Sequence, residues 1–403
     1  MELLVSMAVL TLIMLVLLSI TGTTQRIWKQ TAQRIDSFRA ARTGFESMTR
    51  RISQATLNTY WDYDDVTNPT RYVRKSELRF LCGRQTSGVP LLLADTGTIQ
   101  HPTHAIFFQA PLGYSDPTNS TTYQGLGNLL NTFGYYIELA SDTDATLPNI
   151  KRPDFLPSSI SPRTRFRLME LLQPTELLNV YNLTCDPTKT SSVNATYGNK
   201  YSGATSADYQ WFLGDGTDKD NWYPKQSHLV AENVIALFFL PKLSSADEIA
   251  NGGDPSSASF GEYLLYGYTG GHGTNYYFMY NSAPNQWPMP TVPTGSCPIA
   301  VMMMANQLPP LVQVTMVALD EGSAARLEKL AGAAGQDQWT YLTTLASLGS
   351  RSTFAMPGNL NDKTATGFAQ DLDKLTKALI SLHLNYRVFS SEVSIRGAKW
   401  SSK

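Results

Sequence analysis

MELLVSMAVLTLIMLVLLSI, residues 1–20, decides the class of this chain. From position 3 to position 20 the polar side chains are Ser6, Thr11 and Ser19, and no residue is charged. Coiled as an α-helix, this run is about 27 Å long, close to the ~30 Å hydrocarbon core of a bilayer. It is apolar on every side, as a lipid-facing helix is and a surface helix is not. A cleaved signal peptide carries a basic segment, a shorter apolar run and a small-residue cleavage site. This run has none of that pattern, so residues 1–24 are expected to remain as a transmembrane segment.

Immediately downstream, Thr21-Gly22-Thr23-Thr24 reads as a break, after which a helical pattern resumes. Trp28, Ile35, Phe38, Ala41, Phe45, Met48, Ile52 and Ala55 recur at steps of three and four or their multiples. That spacing predicts an amphipathic helix over residues 25–58 with one apolar stripe. Its other face carries Arg26, Lys29, Arg34, Arg39, Arg42, Arg50 and Arg51 against Asp36 and Glu46. The stripe packs on its own domain or lies on anionic lipid.

Residues 59–403 form the globular remainder. The whole chain has 403 residues, 42% of them hydrophobic, with charged residues held to 16% and a formal net charge of −1. Such a balance gives no basis for holding a nucleic acid through its phosphates. The 20 tyrosines and 16 phenylalanines favour β-structure. Strands are expected at 77–82, 104–110, 135–140, 165–171, 234–240, 311–319 and 384–389, several of them continuous apolar runs suited to burial on both faces. A second helical pattern occupies 367–384, with Phe368, Leu372, Leu375, Leu379 and Leu382. The polar stretches 186–220 and 243–298 exceed ordinary loop lengths and read as insertions outside the core.

No catalytic motif emerges. Asp320 and Glu321 are adjacent, so their side chains diverge instead of converging on one substrate; Asp320 or Ser323 reads better as a helix cap. Asp215, Asp218 and Asp220 lack the spacing of a calcium loop and read as a solvated turn. Gly270, Gly271 and Gly273 around His272 lack phosphate-loop spacing. His101 and His104, three apart with no third ligand nearby, read as a polar loop; His228 and His383 complete no metal motif. Cys82, Cys185 and Cys297 lie too far apart for a conventional zinc site. Either two of them pair in an oxidising compartment or all three are buried thiols. Asn119, Asn182 and Asn194 are glycosylation acceptors only in a eukaryotic secretory pathway. No cofactor and no metal is expected.

Glu2 is the unusual residue. A carboxylate beside a membrane span is disfavoured unless it meets a partner or lies at the interface. Glu2-Leu3-Leu4-Val5 resembles the end of the Phe-Thr-Leu-x-Glu-Leu-Leu-Val pattern that opens type IV pilin-like proteins. FRAARTGFESMTRRISQA, residues 38–55, resembles the corresponding helix of the J-type minor pseudopilins of type II secretion. NQLPPLVQVTMVALDEGSAARL, residues 306–327, is similar to their LP..V.VT strand, and more so to the Verru_Chthon cassette protein C family. Residues 165–176 (RFRLMELLQPTE), 228–240 (HLVAENVIALFFL) and 384–400 (LNYRVFSSEVSIRGAKW) fit that family as well.

The resemblance implies an α+β fold in which a long N-terminal membrane-spanning helix continues into an amphipathic helix packed on an antiparallel sheet. Long loops are inserted into the body. It implies a structural role without enzymatic activity, in a secretion or filament apparatus of the cell envelope. Glu2 is then the assembly residue, pairing with the free amine of a neighbouring subunit. The partners it implies are the inner membrane, other pilin-like subunits and, given a leader upstream, a prepilin peptidase. The body is expected in the periplasm or on the cell surface. By the positive-inside rule the basic flank after the span points the other way, and only a more basic leader upstream of Met1 reverses it. The alternative is a signal-anchored binding protein that holds polysaccharide or a surface partner through Tyr263, Tyr266, Tyr268, Tyr276, Tyr277 and Tyr280.

Overall fold

The computed structural model describes residues 2–63, 68–84, 99–115, 125–144, 147, 149–157, 159–178, 223–250, 253–256, 264, 266–269, 276–282, 306–348 and 365–400. The chain opens with one helix, α1 (Glu2–Ile52), followed by the strands β1 (Tyr60–Tyr63) and β2 (Tyr72–Lys75). Next come β3 (Leu81–Arg84), β4 (His104–Pro111), β5 (Leu130–Ser141) and β6 (Thr164–Gln173). A short turn of helix α2 (Tyr223–Gln226) leads into β7 (Ser227–Glu232) and β8 (Val234–Lys242), then α3 (Ser245–Ala250). The chain continues through β9 (Tyr266–Thr269), β10 (Tyr276–Asn281), β11 (Leu311–Leu319), α4 (Glu321–Ala333) and α5 (Gln338–Leu345). It closes with α6 (Ala365–Ser381) and β12 (Tyr386–Ser394).

The fold is α+β, with every strand pair among the described residues antiparallel. β1 and β2 form a separate ribbon; a large sheet runs β7-β6-β5-β4-β3-β10-β9 and a small one β12-β11-β8. Strands β3 to β7 follow one another across the large sheet as a meander. Asn233 then carries the chain from the large sheet into the small one in a single residue, with its backbone in the left-handed region at φ 62°. Asparagine takes that conformation more readily than most side chains do.

Packing between the layers follows from the alternation of side chains along each strand. Ile106, Phe108, Phe133, Tyr135, Ile137, Phe166 and Leu168 project to one side of the large sheet and join the main core. That core also takes in β8 from Val234 to Leu240, buried on both faces as its continuous apolar run predicts. Ala41, Phe45, Met48 and Ile52 of α1 complete it, and α1 lies against β7, β11 and β12. Gly44 makes this approach possible, because a Cβ there would stand 2.7 Å from Val230 Cγ1 on β7.

Three expectations need correction. Thr21-Gly22-Thr23-Thr24 does not break α1. The hydroxyls of Thr21, Thr23 and Thr24 donate to the carbonyls of Leu17, Ser19 and Ile20 at 2.8, 2.9 and 2.9 Å, so these polar groups are satisfied inside the helix. The 243–298 stretch is not all peripheral. Its strands β9 and β10 extend the large sheet beside β3, and Tyr280 is fully buried, edge-on to Phe80 at 5.8 Å with its hydroxyl donating to the Gln307 carbonyl at 2.8 Å. Finally, His101 and His104 are not in a polar loop. Both are buried; His104 opens β4, and its Nδ1 lies 3.1 Å from the Phe239 carbonyl oxygen and 3.2 Å from the Phe239 amide nitrogen.

Asp320 caps α4 as expected: its Oδ1 accepts from the Ser323 amide at 2.7 Å and its Oδ2 from the Asn385 side chain at 3.0 Å. The neighbouring Glu321 carboxylate turns away to Asn233 and Arg165, so the two acids do not share a site. The strands expected at 104–110, 135–140, 165–171, 234–240 and 311–319 all form, as does the second helix. The stretch 384–389 forms a strand shifted towards the C-terminus, as β12. The 77–82 stretch is extended only from Leu81 onward.

Candidate functional site

α1 is a single helix with two environments. Its last turns are embedded in the body, with Ala41, Met48 and Ile52 essentially inaccessible. The preceding stretch Val9–Trp28 is long and apolar enough to cross a membrane, and none of it is buried against the body. Leu10, Leu12, Leu15, Leu17 and Leu18 all stand exposed around the helix. Each such side chain gains about 1.5–3 kcal/mol on leaving water, so an all-round apolar surface of this length is a surface for lipid or for other helices. This single N-terminal helix is compatible with a membrane anchor or with a signal sequence.

The predicted apolar stripe holds from Phe38 onward and fails at Trp28, which is 78% exposed. Trp28 ends the apolar stretch Val9–Trp28 and Arg26 stands exposed beside it, residue types that suit a membrane–water interface. The expected boundary between residues 24 and 25 therefore falls inside one continuous helix. Glu2 supplies the first helical residue of α1.

An ion pair fixes where the buried half sits. The Arg51 guanidinium pairs with the Glu170 carboxylate, donates to the Tyr135 hydroxyl at 3.2 Å and lies 5.1 Å above the Phe133 ring. Tyr135 in turn donates to Glu170 at 2.8 Å. Burial, reinforced by the Glu170 charge, holds the Tyr135 phenol well above its ordinary pKa and keeps it a donor. One of the seven basic residues read from the sequence is thus an anchor into β5 and β6. Arg42 pairs along the helix with Glu46 at 2.8 Å, out in solvent.

A second polar cluster lies on the opposite side of the large sheet, and the sequence reading missed it. Glu138 on β5 sits directly across from Arg167 on β6, and His101 approaches from the strand bridge beside Leu139. Glu138 is 0% exposed, and neither carboxylate oxygen accepts a hydrogen bond. Burial pushes its carboxyl up from the ordinary range, against the pull of His101 and Arg167. Burial likewise pulls the Arg167 guanidinium down, and its Nη1 donates to the Ala140 carbonyl at 2.9 Å. The signal in the sequence was a lone acid inside the apolar run YYIELA, residues 135–140.

Comparison with family models, with curated proteins and with solved structures finds no match to this chain. Its own residues carry the functional reading.

Several expected sites fall outside the described residues: Cys185, Cys297, the Asp215–Asp218–Asp220 turn, the glycine cluster around His272, and Tyr263. Cys82 is a buried free thiol, and burial raises its pKa well above the usual range. Tyr280, in the core, presents no face to a sugar, which removes one member of the tyrosine cluster.

Proposed function

We propose that this chain is a membrane-anchored, pilin-like structural subunit of the minor pseudopilin type, serving a secretion or filament apparatus of the cell envelope. One observation supports the reading above the others: α1 is continuous, apolar and uncovered over Val9–Trp28, then docked into an antiparallel body from Phe38 onward. A helix of that design holds the subunit in the inner membrane and packs against the same half of neighbouring subunits. The body, carried in the periplasm or on the cell surface, supplies the lateral contacts.

Glu2 is the assembly residue in this reading. A carboxylate at the start of an apolar helix is costly in lipid unless a cation meets it, and a neighbour's N-terminal amine provides one. The pairing fixes register between helices.

Exchanging Glu2 for Ala in the native host tests the reading. Membrane integration is expected to persist, while cross-linking of the chain to other pilin-like subunits is lost. Unchanged cross-linking of the Ala variant overturns the assembly role. Mass spectrometry of the native N-terminus adds an independent readout. A methylated amine upstream of Glu2 supports pilin-type processing, and an unmodified start at Met1 counts against it.

A further inference from the structure

The ribbon β1–β2 carries an aromatic surface that the anchoring helix does not explain. Its register pairs Trp61 with Arg74 and Tyr63 with Tyr72, and strand alternation places all of them on one face. Trp61 is 62% exposed and Tyr72 63%. The Tyr63 and Tyr72 rings stack at 4.8 Å with 25° between their planes, and the Tyr72 hydroxyl donates to the Tyr63 hydroxyl at 3.1 Å. The Arg74 guanidinium lies 5.7 Å from the Trp61 ring. The opposite face holds an Asp62–Lys75 ion pair at 3.1 Å.

The base of the ribbon is clamped. Asn58 Oδ1 accepts from the Leu78 amide at 3.2 Å, and Asn306 Nδ2 donates to the Arg74 carbonyl at 2.7 Å. An exposed tryptophan on a held ribbon is preorganised, so little ordering entropy is lost when a ligand stacks on it.

We infer that this face binds a neutral polysaccharide. The π-face of an aromatic ring is electron-rich and attracts the weakly positive C–H bonds that line one side of a pyranose. Arg74 and the tyrosine hydroxyls flank the ring with hydrogen-bonding groups suited to sugar hydroxyls. From Tyr60 to Lys75 the sequence holds Asp62, Asp64 and Asp65 against Arg71, Arg74 and Lys75, a balance that does not select a polyanion. The membrane interface also favours Trp and Tyr, but in the chain the ribbon is separated from Trp28 by the rest of α1. Helix α1 continues for 24 residues from Trp28 to Ile52, about 36 Å, before the ribbon begins.

Affinity electrophoresis tests this with the full chain in detergent micelles, in gels cast with soluble β-glucan, xylan or glucomannan and with polygalacturonate as the acidic comparison. Retardation is expected in at least one neutral gel. Trp61→Ala and Tyr72→Ala should each weaken it roughly three- to tenfold. Trp61→Phe keeps a ring and should retain most of the effect, which separates loss of stacking from loss of the ribbon. Free migration in every neutral gel, retardation confined to polygalacturonate, or full retardation of the Trp61→Ala/Tyr72→Ala double variant overturns the assignment.

Discussion

The Asn233 side-chain amide donates a 2.9 Å hydrogen bond to Glu321, tying the residue that switches the chain between sheets to the first turn of α4. The backbone of Asn233 is committed at the same point. Its amide donates to the Phe166 carbonyl at 2.7 Å on the large sheet, and its carbonyl accepts from the Leu319 amide at 2.9 Å at the end of β11. One left-handed residue therefore joins both sheets and the helix that follows the small sheet.

That arrangement separates two substitutions. Asn233→Ala loses the bond to Glu321 and places a Cβ-bearing residue at positive φ without a compensating side chain, at a cost of about 2–3 kcal/mol. Asn233→Gly loses the bond but not the backbone freedom, and should cost roughly 1 kcal/mol. Denaturant unfolding of the full chain in detergent reads the order. Equal destabilisation by the two would mean that the left-handed backbone is not what Asn233 supplies.

The docked half of α1 depends on Gly44. Leucine there drives a branched side chain into Val230 and should destabilise the contact by about 1–3 kcal/mol, as overpacking does. The expected readout is protease cleavage within residues 25–58 at enzyme concentrations that leave the wild type intact. Gly44→Ala is the graded case, in which better helix propensity, worth about 1 kcal/mol, opposes a Cβ approach of 2.7 Å.

Glu138 gives the fold a pH dependence of definite sign. Its folded pKa is raised by burial, so the folded chain binds this proton more tightly than the unfolded chain does. Stability from this group is then highest at low pH and falls as pH rises through the interval between the ordinary carboxyl value and the raised one. Glu138→Gln mimics the protonated form. It should raise the melting temperature at neutral pH, and the advantage should shrink as the wild type is acidified toward its unfolded pKa. A Gln variant less stable than the wild type at neutral pH would mean that the ionised carboxylate is held by His101 and Arg167 more strongly than burial opposes it.

How far the fold could be read from sequence depended on whether a segment's own chemistry carried the signal. The apolar run of α1, the VIALFFL strand of β8 and the Asp320 cap announce themselves locally, through hydropathy, continuous branched residues and a short acceptor before a helix. β10 did not, because it lies within a polar stretch and joins the sheet by pairing with β3 far earlier in the chain. The Thr-Gly-Thr-Thr segment misled for the opposite reason. Local propensity suggests a break, but threonine hydroxyls that bond back to the helix make it compatible with continuity. Trp28 matched the helical stripe by spacing, yet it stands exposed at the end of the apolar stretch and does not join the core. The Glu138 cluster was hidden because burial of a charge is a property of the whole sheet, and sequence shows only a lone acid among apolar residues.

The exposed half of α1 makes the most direct prediction. Leu15 lies within Val9–Trp28 and is 69% exposed. Arginine at the centre of a spanning helix costs about 2.5–3.5 kcal/mol of insertion free energy. Leu15→Arg should therefore shift a measurable fraction of the chain from the carbonate-resistant membrane pellet to the soluble fraction. The reverse exchange at Arg39, exposed beyond Val9–Trp28, serves as the contrast: Arg39→Leu should leave the pellet fraction unchanged. If Leu15→Arg partitions as the wild type does, the apolar surface of α1 is covered by protein in the native state and is not facing lipid.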